Sequence, residues 1–159
     1  MNLIFICTGN SCRSILAEAT CRHLAPPNWR VMSAGSHPAG FVHPKALALL
    51  AREGISADGC TSTSWDDLPV APDVVITVCD SAAGEACPAY LAPAIPVHWG
   101  VADPARVTGS DATINAAFEE AYRILRARIE AMLALPELVL SGGRERLEAA
   151  LRRIGNLAR

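Results

Sequence analysis

The chain has little net charge, few aromatic residues and no long apolar run. Lys and Arg number 14 against 16 Asp and Glu, a formal charge of −2 at pH 7. Neither the basic footprint of a nucleic-acid binder nor an acidic tail is therefore present. No stretch is long and apolar enough to cross a bilayer, and Met1-Asn2-Leu3 leads straight into the first apolar run. With no basic segment, extended apolar core and cleavage site ahead of that run, a cytoplasmic location is expected. None of the six cysteines forms a Cys-x2-Cys pair, and the four histidines do not cluster with them. A metal site is not expected, and a structural disulfide framework does not suit such a compartment. Redox use is left as the serious option for the cysteines, beside incidental ones. No repeat or low-complexity linker divides the 159 residues, which are enough for one domain with its own core.

What is present is an alternation of apolar runs and helix-spaced patterns. Leu3-Ile4-Phe5-Ile6 predicts a strand, and residues 11–24 a helix with Ile15, Leu16, Ala19, His23 and Leu24 on one face. Pro26-Pro27 stops it. Residues 29–33 read as a second strand. Pro44 opens a second helix with Ala46, Leu47, Leu49 and Leu50 facing inward and Gly54 just past its end. His43 and Lys45 beside that start read as solvated surface, and the polar stretch 61–67 as loop. The β-branched run 73–78 fits a central parallel strand covered on both faces. A small-residue segment, 80–86, follows and permits a short, lightly packed helix before Cys87-Pro88. Residues 95–99 make a fourth strand and 113–133 a long helix, along which Ile114, Phe118, Ala121, Leu125, Ile129 and Met132 repeat at helical steps. Beyond Leu135-Pro136, Leu147, Leu151 and Ile154 lie among arginines and glutamates. Residues 1–135 are thus read as the domain, and 136–159 as a C-terminal extension with one amphipathic helix that packs on it or meets a partner.

Strands alternating with helices imply an α/β fold, a flavodoxin-like doubly wound four-stranded parallel sheet of order 2-1-3-4. Ligands of such sheets bind beyond the carboxyl ends of the strands, where the strand order reverses. Cys7 ends the first strand, Cys79 the third, and Asp103 follows the fourth. Two thiols and a carboxyl group distant in sequence are expected at one edge.

The most informative stretch is Cys7-Thr8-Gly9-Asn10-Ser11-Cys12-Arg13-Ser14. A strand ends, a tight loop turns and a helix begins, aiming backbone N–H groups at one point. Cys7 stands at the start of the loop and Arg13 at its exit. Thiols set over converging amides, a helix N-terminus and a guanidinium favour the nucleophilic thiolate. Arg13 can fork two oxygens of a tetrahedral oxyanion, which a lysine cannot match. Ser14 can hydrogen-bond the sulfur.

This loop resembles the phosphate-binding loop of the low-molecular-weight protein tyrosine phosphatases and of the arsenate reductases that share their fold. Ser33-Ala34-Gly35-Ser36, Val78-Cys79-Asp80 and His98-Trp99-Gly100-Val101-Ala102-Asp103-Pro104 agree with it, so the resemblance runs from Met1 to about Leu135. It implies an oxyanion held by residues Thr8, Gly9, Asn10, Ser11, Cys12 and Arg13. As an arsenate reductase the chain would use a cysteine relay: Cys7 attacks arsenate, Cys79 attacks Cys7, and Cys87 attacks Cys79. Reducing equivalents would come from thioredoxin or from glutaredoxin and glutathione, with no bound cofactor. As a phosphatase it would use Cys7 as nucleophile, Arg13 to bind the oxyanion and Asp103 as general acid. Cys79 and Cys87 would then be idle, and only Trp65 and Tyr90 could flank a phosphotyrosine ring. The reductase is the primary reading.

Two departures accompany the resemblance. The Cys79–Cys87 spacing is one residue longer than in the best-known thioredoxin-coupled members. Cys12, shared by both classes, is implied as an oxidised-state partner for Cys7. Some reductases bind potassium at positions matching Asn10, Glu18 and Ser33, but no completing acidic residue stands out around Ser62 to Ser64, and the ion is not assigned.

Overall fold

The computed structural model describes residues 1–84 and 88–157. Its centre is β1, Asn2–Cys7, in which Leu3 to Ile6 are completely buried. A strand loses both faces to the interior only when layers cover both, so an uninterrupted Leu-Ile-Phe-Ile run selects a central position. β2 is Arg30–Gly35, β3 Val74–Thr77 and β4 Ile95–His98. All pair in parallel, in the order β2-β1-β3-β4 expected from the sequence. Cys7 lies opposite Gly35, and Ile6 opposite Thr77. The carboxyl ends therefore meet at one edge.

The outer strand β4 reads differently. Ile95 and Val97 are buried while Pro96 and His98 are exposed, the alternation of a strand covered on one face. Pro96 can sit there because an edge strand need not donate on its outer side.

The helices are α1 (Arg13–Leu24), α2 (Pro44–Arg52), α3 (Asp80–Ala83), α4 (Asp111–Leu133), α5 (Glu137–Leu140) and α6 (Arg144–Ile154). α1 packs on β1 and β2 and against α4, and its residues Ser14 to Cys21 are all buried. Leu47, expected on the inner face of α2, is 40% exposed instead. Ala46, Leu49 and Leu50 already fill that stripe, and Leu47 falls to its side. α4 starts at Asp111, two residues ahead of the predicted start, and the hydroxyl of its cap residue Ser110 accepts from Thr113 N at 3.2 Å.

α6 completes the core. Leu147, Leu151 and Ile154 are buried, and the indole of fully buried Trp99 donates to Leu151 O at 2.9 Å. The Trp99 ring also packs on Phe5 of β1, 6.3 Å between centroids. Gly155 approaches so closely that a Cβ there would stand 2.9 Å from both His98 O and Trp99 Cδ1. Buried Arg128 of α4 donates to the carbonyls of Gly100 and Leu157, tying the loop after β4 to the chain's end. Among the described residues no helix is long and apolar enough to cross a membrane.

Candidate active site

The loop from Cys7 to Arg13 is shaped from outside. His37 N donates to Thr8 O (2.9 Å), Ala39 N to Gly9 O (2.8 Å) and His43 N to Ser11 O (2.9 Å). In a trans peptide the following N–H points opposite to the carbonyl. Holding these carbonyls outward therefore turns the N–H groups of Gly9, Asn10 and Cys12 inward. The Asn10 N–H accordingly donates to Cys7 Sγ at 3.2 Å. Ser14 Oγ stands 2.9 Å from the same sulfur. α1 starts at Arg13, and its cap residue Cys12 offers the first turn no side-chain acceptor. Acidic side chains are also missing from that turn, so its orphan N–H groups face the loop uncapped.

Asn10 is the hub. It is fully buried and adopts φ +45°, the left-handed region that asparagine tolerates better than most residues. Its amide donates to Ser14 Oγ (2.7 Å) and Ser33 Oγ (2.9 Å), and its carbonyl accepts from Thr63 N (2.8 Å). Ser33 in turn donates to Glu18, which pairs with Arg22. Burial pushes the Glu18 carboxyl up, with Ser33 and Arg22 pulling the other way. The three positions associated with potassium are thus bonded to one another, and the Arg22 guanidinium already answers the carboxylate. The set does not fit a bound cation.

Cys79, at the end of β3, is 1% exposed. Its sulfur accepts from Thr8 N at 3.3 Å and Ala82 N at 3.4 Å. The second thiol expected at this edge is therefore in contact with the anion loop itself. Arg13 Nη1 donates to Val101 O (2.9 Å), and Arg13 Nη2 lies 3.4 Å from Asp103 Oδ2. Asp103 also accepts from Ala105 N, capping the short turn that follows. Arg13 and Asp103 line two neighbouring cavities. One of about 90 Å³ contains Cys7, Ser11 and His43, and one of about 480 Å³ contains Cys79, Asp80 and His98.

Cys87 lies outside the described residues, between Gly84 and Pro88. None of the five described cysteines is joined in a disulfide to another of them. Burial, then the charges of Asp103 and Cys7, push the Cys12 thiol strongly up despite Arg13. Burial also raises Cys21 to about 12 and Cys60 to about 11. All three stay protonated at neutral pH and are poor nucleophiles.

Several participants carried no local sequence signal. The polar stretch 61–67 is loop, yet its first half buttresses the site: Gly35 N donates to Thr63 O and Ser62 Oγ to Gly9 O. His43, read as solvated surface, lines the smaller cavity. Its ring packs on Phe118, 5.0 Å between centroids. The two aromatic candidates for flanking a phosphotyrosine are placed differently. Trp65 is in the core, and Tyr90 lies at the surface within the field of Asp66 and Asp67.

This cysteine-containing anion loop at the strand-order reversal of a 2-1-3-4 parallel sheet defines a class. Residues 2–142 match the low molecular weight phosphotyrosine protein phosphatase family, and the chain belongs to it. The more particular likeness is to arsenate reductases. The chain is 37% identical over 129 residues to the arsenate reductase of Halalkalibacterium halodurans, covering 80% of this chain and 91% of that relative. A solved structure described as an arsenate reductase in oxidized state superposes with a TM-score of 0.69 at 26% identity, covering 84% and 96% of the two chains. The thioredoxin-dependent arsenate reductase of Corynebacterium glutamicum gives 0.59 at 30% identity, covering 79% of this chain and 58% of that one.

Proposed function

We propose that this protein reduces arsenate to arsenite through a relay of Cys7, Cys79 and Cys87. The observation that carries the reading is Cys79 Sγ bonded to Thr8 N, a second buried thiol resting on the anion loop. Phosphate ester hydrolysis has no use for it. The resemblance to arsenate reductases supports the same reading.

Cys7 Sγ, with hydrogen bonds from Asn10 N and from Ser14, attacks arsenic(V), and one oxygen leaves as water. Loop N–H groups and the Arg13 fork hold the remaining oxygens. Cys79 then attacks Cys7 Sγ. An S–S bond forms, the S–As bond breaks, and its electron pair stays on arsenic, which leaves as arsenite. Cys87 attacks Cys79, moving the disulfide to Cys79–Cys87 and returning Cys7 as thiolate. A dithiol donor supplies the two electrons that reset the pair. Thioredoxin is the favoured donor because one structural neighbour is described as thioredoxin-dependent, with glutaredoxin and glutathione as the variant to test beside it.

The disulfide must become accessible, which requires the segment after Cys79 to move. α3 is only Asp80–Ala83, and its outward tie is Asp80 Oδ1 to His98 Nε2 at 2.8 Å. Asp80 is 94% exposed in that pair, so the contact contributes about 0–1 kcal/mol and yields readily.

Arsenite release with thioredoxin, thioredoxin reductase and NADPH, beside the same assay with glutaredoxin and glutathione, tests the reading. Multiple turnovers in either are expected, abolished by Cys7→Ser and Cys79→Ser. Cys87→Ser should stop after one turnover. Asp103 beside Arg13 keeps a protein tyrosine phosphatase as the second reading. Absence of arsenite with brisk hydrolysis of a phosphotyrosyl peptide would establish that alternative.

A further inference from the structure

We propose that His43 and the Ser11 hydroxyl form a second set of donors in the anion cavity, contacting an oxygen of the bound tetrahedral oxyanion directly. The inference rests on the reading of this loop as an oxyanion site, not on which oxyanion is turned over.

His43 is held from three directions. Its backbone N–H donates to Ser11 O at 2.9 Å. Its ring packs on buried Phe118. Its Nδ1 accepts from Lys45 N at 3.1 Å, which caps α2. That accepted bond places the ring hydrogen on Nε2. Nε2 has no hydrogen-bond partner among the described residues, and His43 lines the same small cavity as Cys7 and Arg13. A clamped ring presenting one uncommitted N–H is a preorganised donor.

Ser11 supplies the independent observation. Its Oγ is buried without a hydrogen-bond partner among the described residues, and the residue lines that cavity. Neighbouring polar groups of the loop are, by contrast, bonded: Ser14 Oγ, the Asn10 amide and the Ser62 hydroxyl all have partners. An orphaned buried hydroxyl is costly unless a ligand accepts from it. A tetrahedral oxyanion carries four oxygens, each able to accept more than one hydrogen bond, so donors beyond the loop N–H groups and the Arg13 fork still find acceptors on it. The choice of residue at position 43 fits the same account, since asparagine, aspartate and serine cap helices better than histidine.

Inorganic phosphate, which is bound without being reduced, is the probe. It is titrated calorimetrically into the reduced full chain, into His43→Asn and into Ser11→Ala. Asparagine preserves an acceptor for Lys45 N but is too short to replace the imidazole. His43→Asn is therefore expected to weaken phosphate binding about tenfold or more, with its anion-free Tm kept. Ser11→Ala should weaken binding while leaving Tm unchanged or higher, because it removes an unsatisfied buried group. His43→Gln, which can carry an N–H donor toward the cavity, should recover part of the affinity. Unchanged phosphate affinity in His43→Asn overturns the proposal, as does a loss of affinity matched in every variant by a loss of anion-free stability. Binding is read without turnover, so failure here leaves the arsenite assay to decide the reductase reading separately.

Discussion

Glu18 shows how one buried residue ties the reactive loop to solvent conditions. Its carboxyl lies at the far end of the row Cys7, Ser14, Asn10, Ser33, and burial outweighs the help of Ser33 and Arg22. The sign of the consequence follows from linkage. A group whose value is raised in the folded state contributes its full stabilisation below its unfolded value, near 4.5 for this carboxyl. That contribution is lost as pH rises through the raised folded value. Glu18→Gln, uncharged throughout, lacks the loss. Thermal unfolding of both proteins across this window should show the wild type losing Tm relative to the variant as pH increases. A Tm difference that is flat or runs the other way would contradict the burial account. At this scale the sequence was only partly legible. Cys7, Arg13 and Ser14 are marked by their place after an apolar run, whereas Glu18 and His43 are joined to the site through Ser33 and Ser11 on other segments.

At the scale of elements, the site is a junction between the end of β1, the end of β2 and the chain running past both. Gly35 is the contact point. A Cβ there would lie 2.5 Å from Thr8 O and 3.0 Å from both Cβ and N of Asn10. Backbone cannot yield as a flexible side chain can. Gly35→Ala should therefore push the loop off its shape, lowering phosphate affinity and reductase turnover at least tenfold. Paired measurement of phosphate binding and arsenite release checks this, and an alanine variant with both intact would show that the loop is not held from behind. The motif Ser33-Ala34-Gly35-Ser36 was visible in the sequence, but its role as a wall was not. The wall exists because Cys7 and Gly35 are in register across two strands.

For the whole molecule, the question is what α6 contributes, since it begins beyond the residues matched by the family. Leu147, Leu151 and Ile154 are each at least 94% buried, to judge from exposures of 6%, 1% and 6%. Burying a side chain of this size is worth about 1.5–3 kcal/mol. Their combined burial is on the order of 5 kcal/mol, comparable to the whole stability of an ordinary domain. Ending the chain after Gly142 should lower Tm by about 10 °C or more, or prevent folding. The effect should reach the site. Trp99 loses its partner on α6, and two residues on, Val101 O accepts from Arg13. Calorimetric unfolding of the truncated chain beside the full one measures this. Equal Tm values would mean that α6 is not part of the core.

The sequence by itself determined the layer order and the reactive loop. Continuous apolar runs can be buried only in central strands, and strand–helix alternation with right-handed crossovers leaves few parallel orders. The strand–Cys–loop–Arg arrangement needs no distant residue to announce an anion cradle. What only the tertiary structure decided was everything held by contacts between segments far apart in the chain. Those contacts include Cys79 against Thr8, the carbonyls of the loop turned outward by residues 37–43, Thr63 on Asn10, and His43 in the anion cavity. Periodicity reports which face of an element is buried. It carries no record of which backbone carbonyl a remote N–H will find, and those meetings are what give this site its shape.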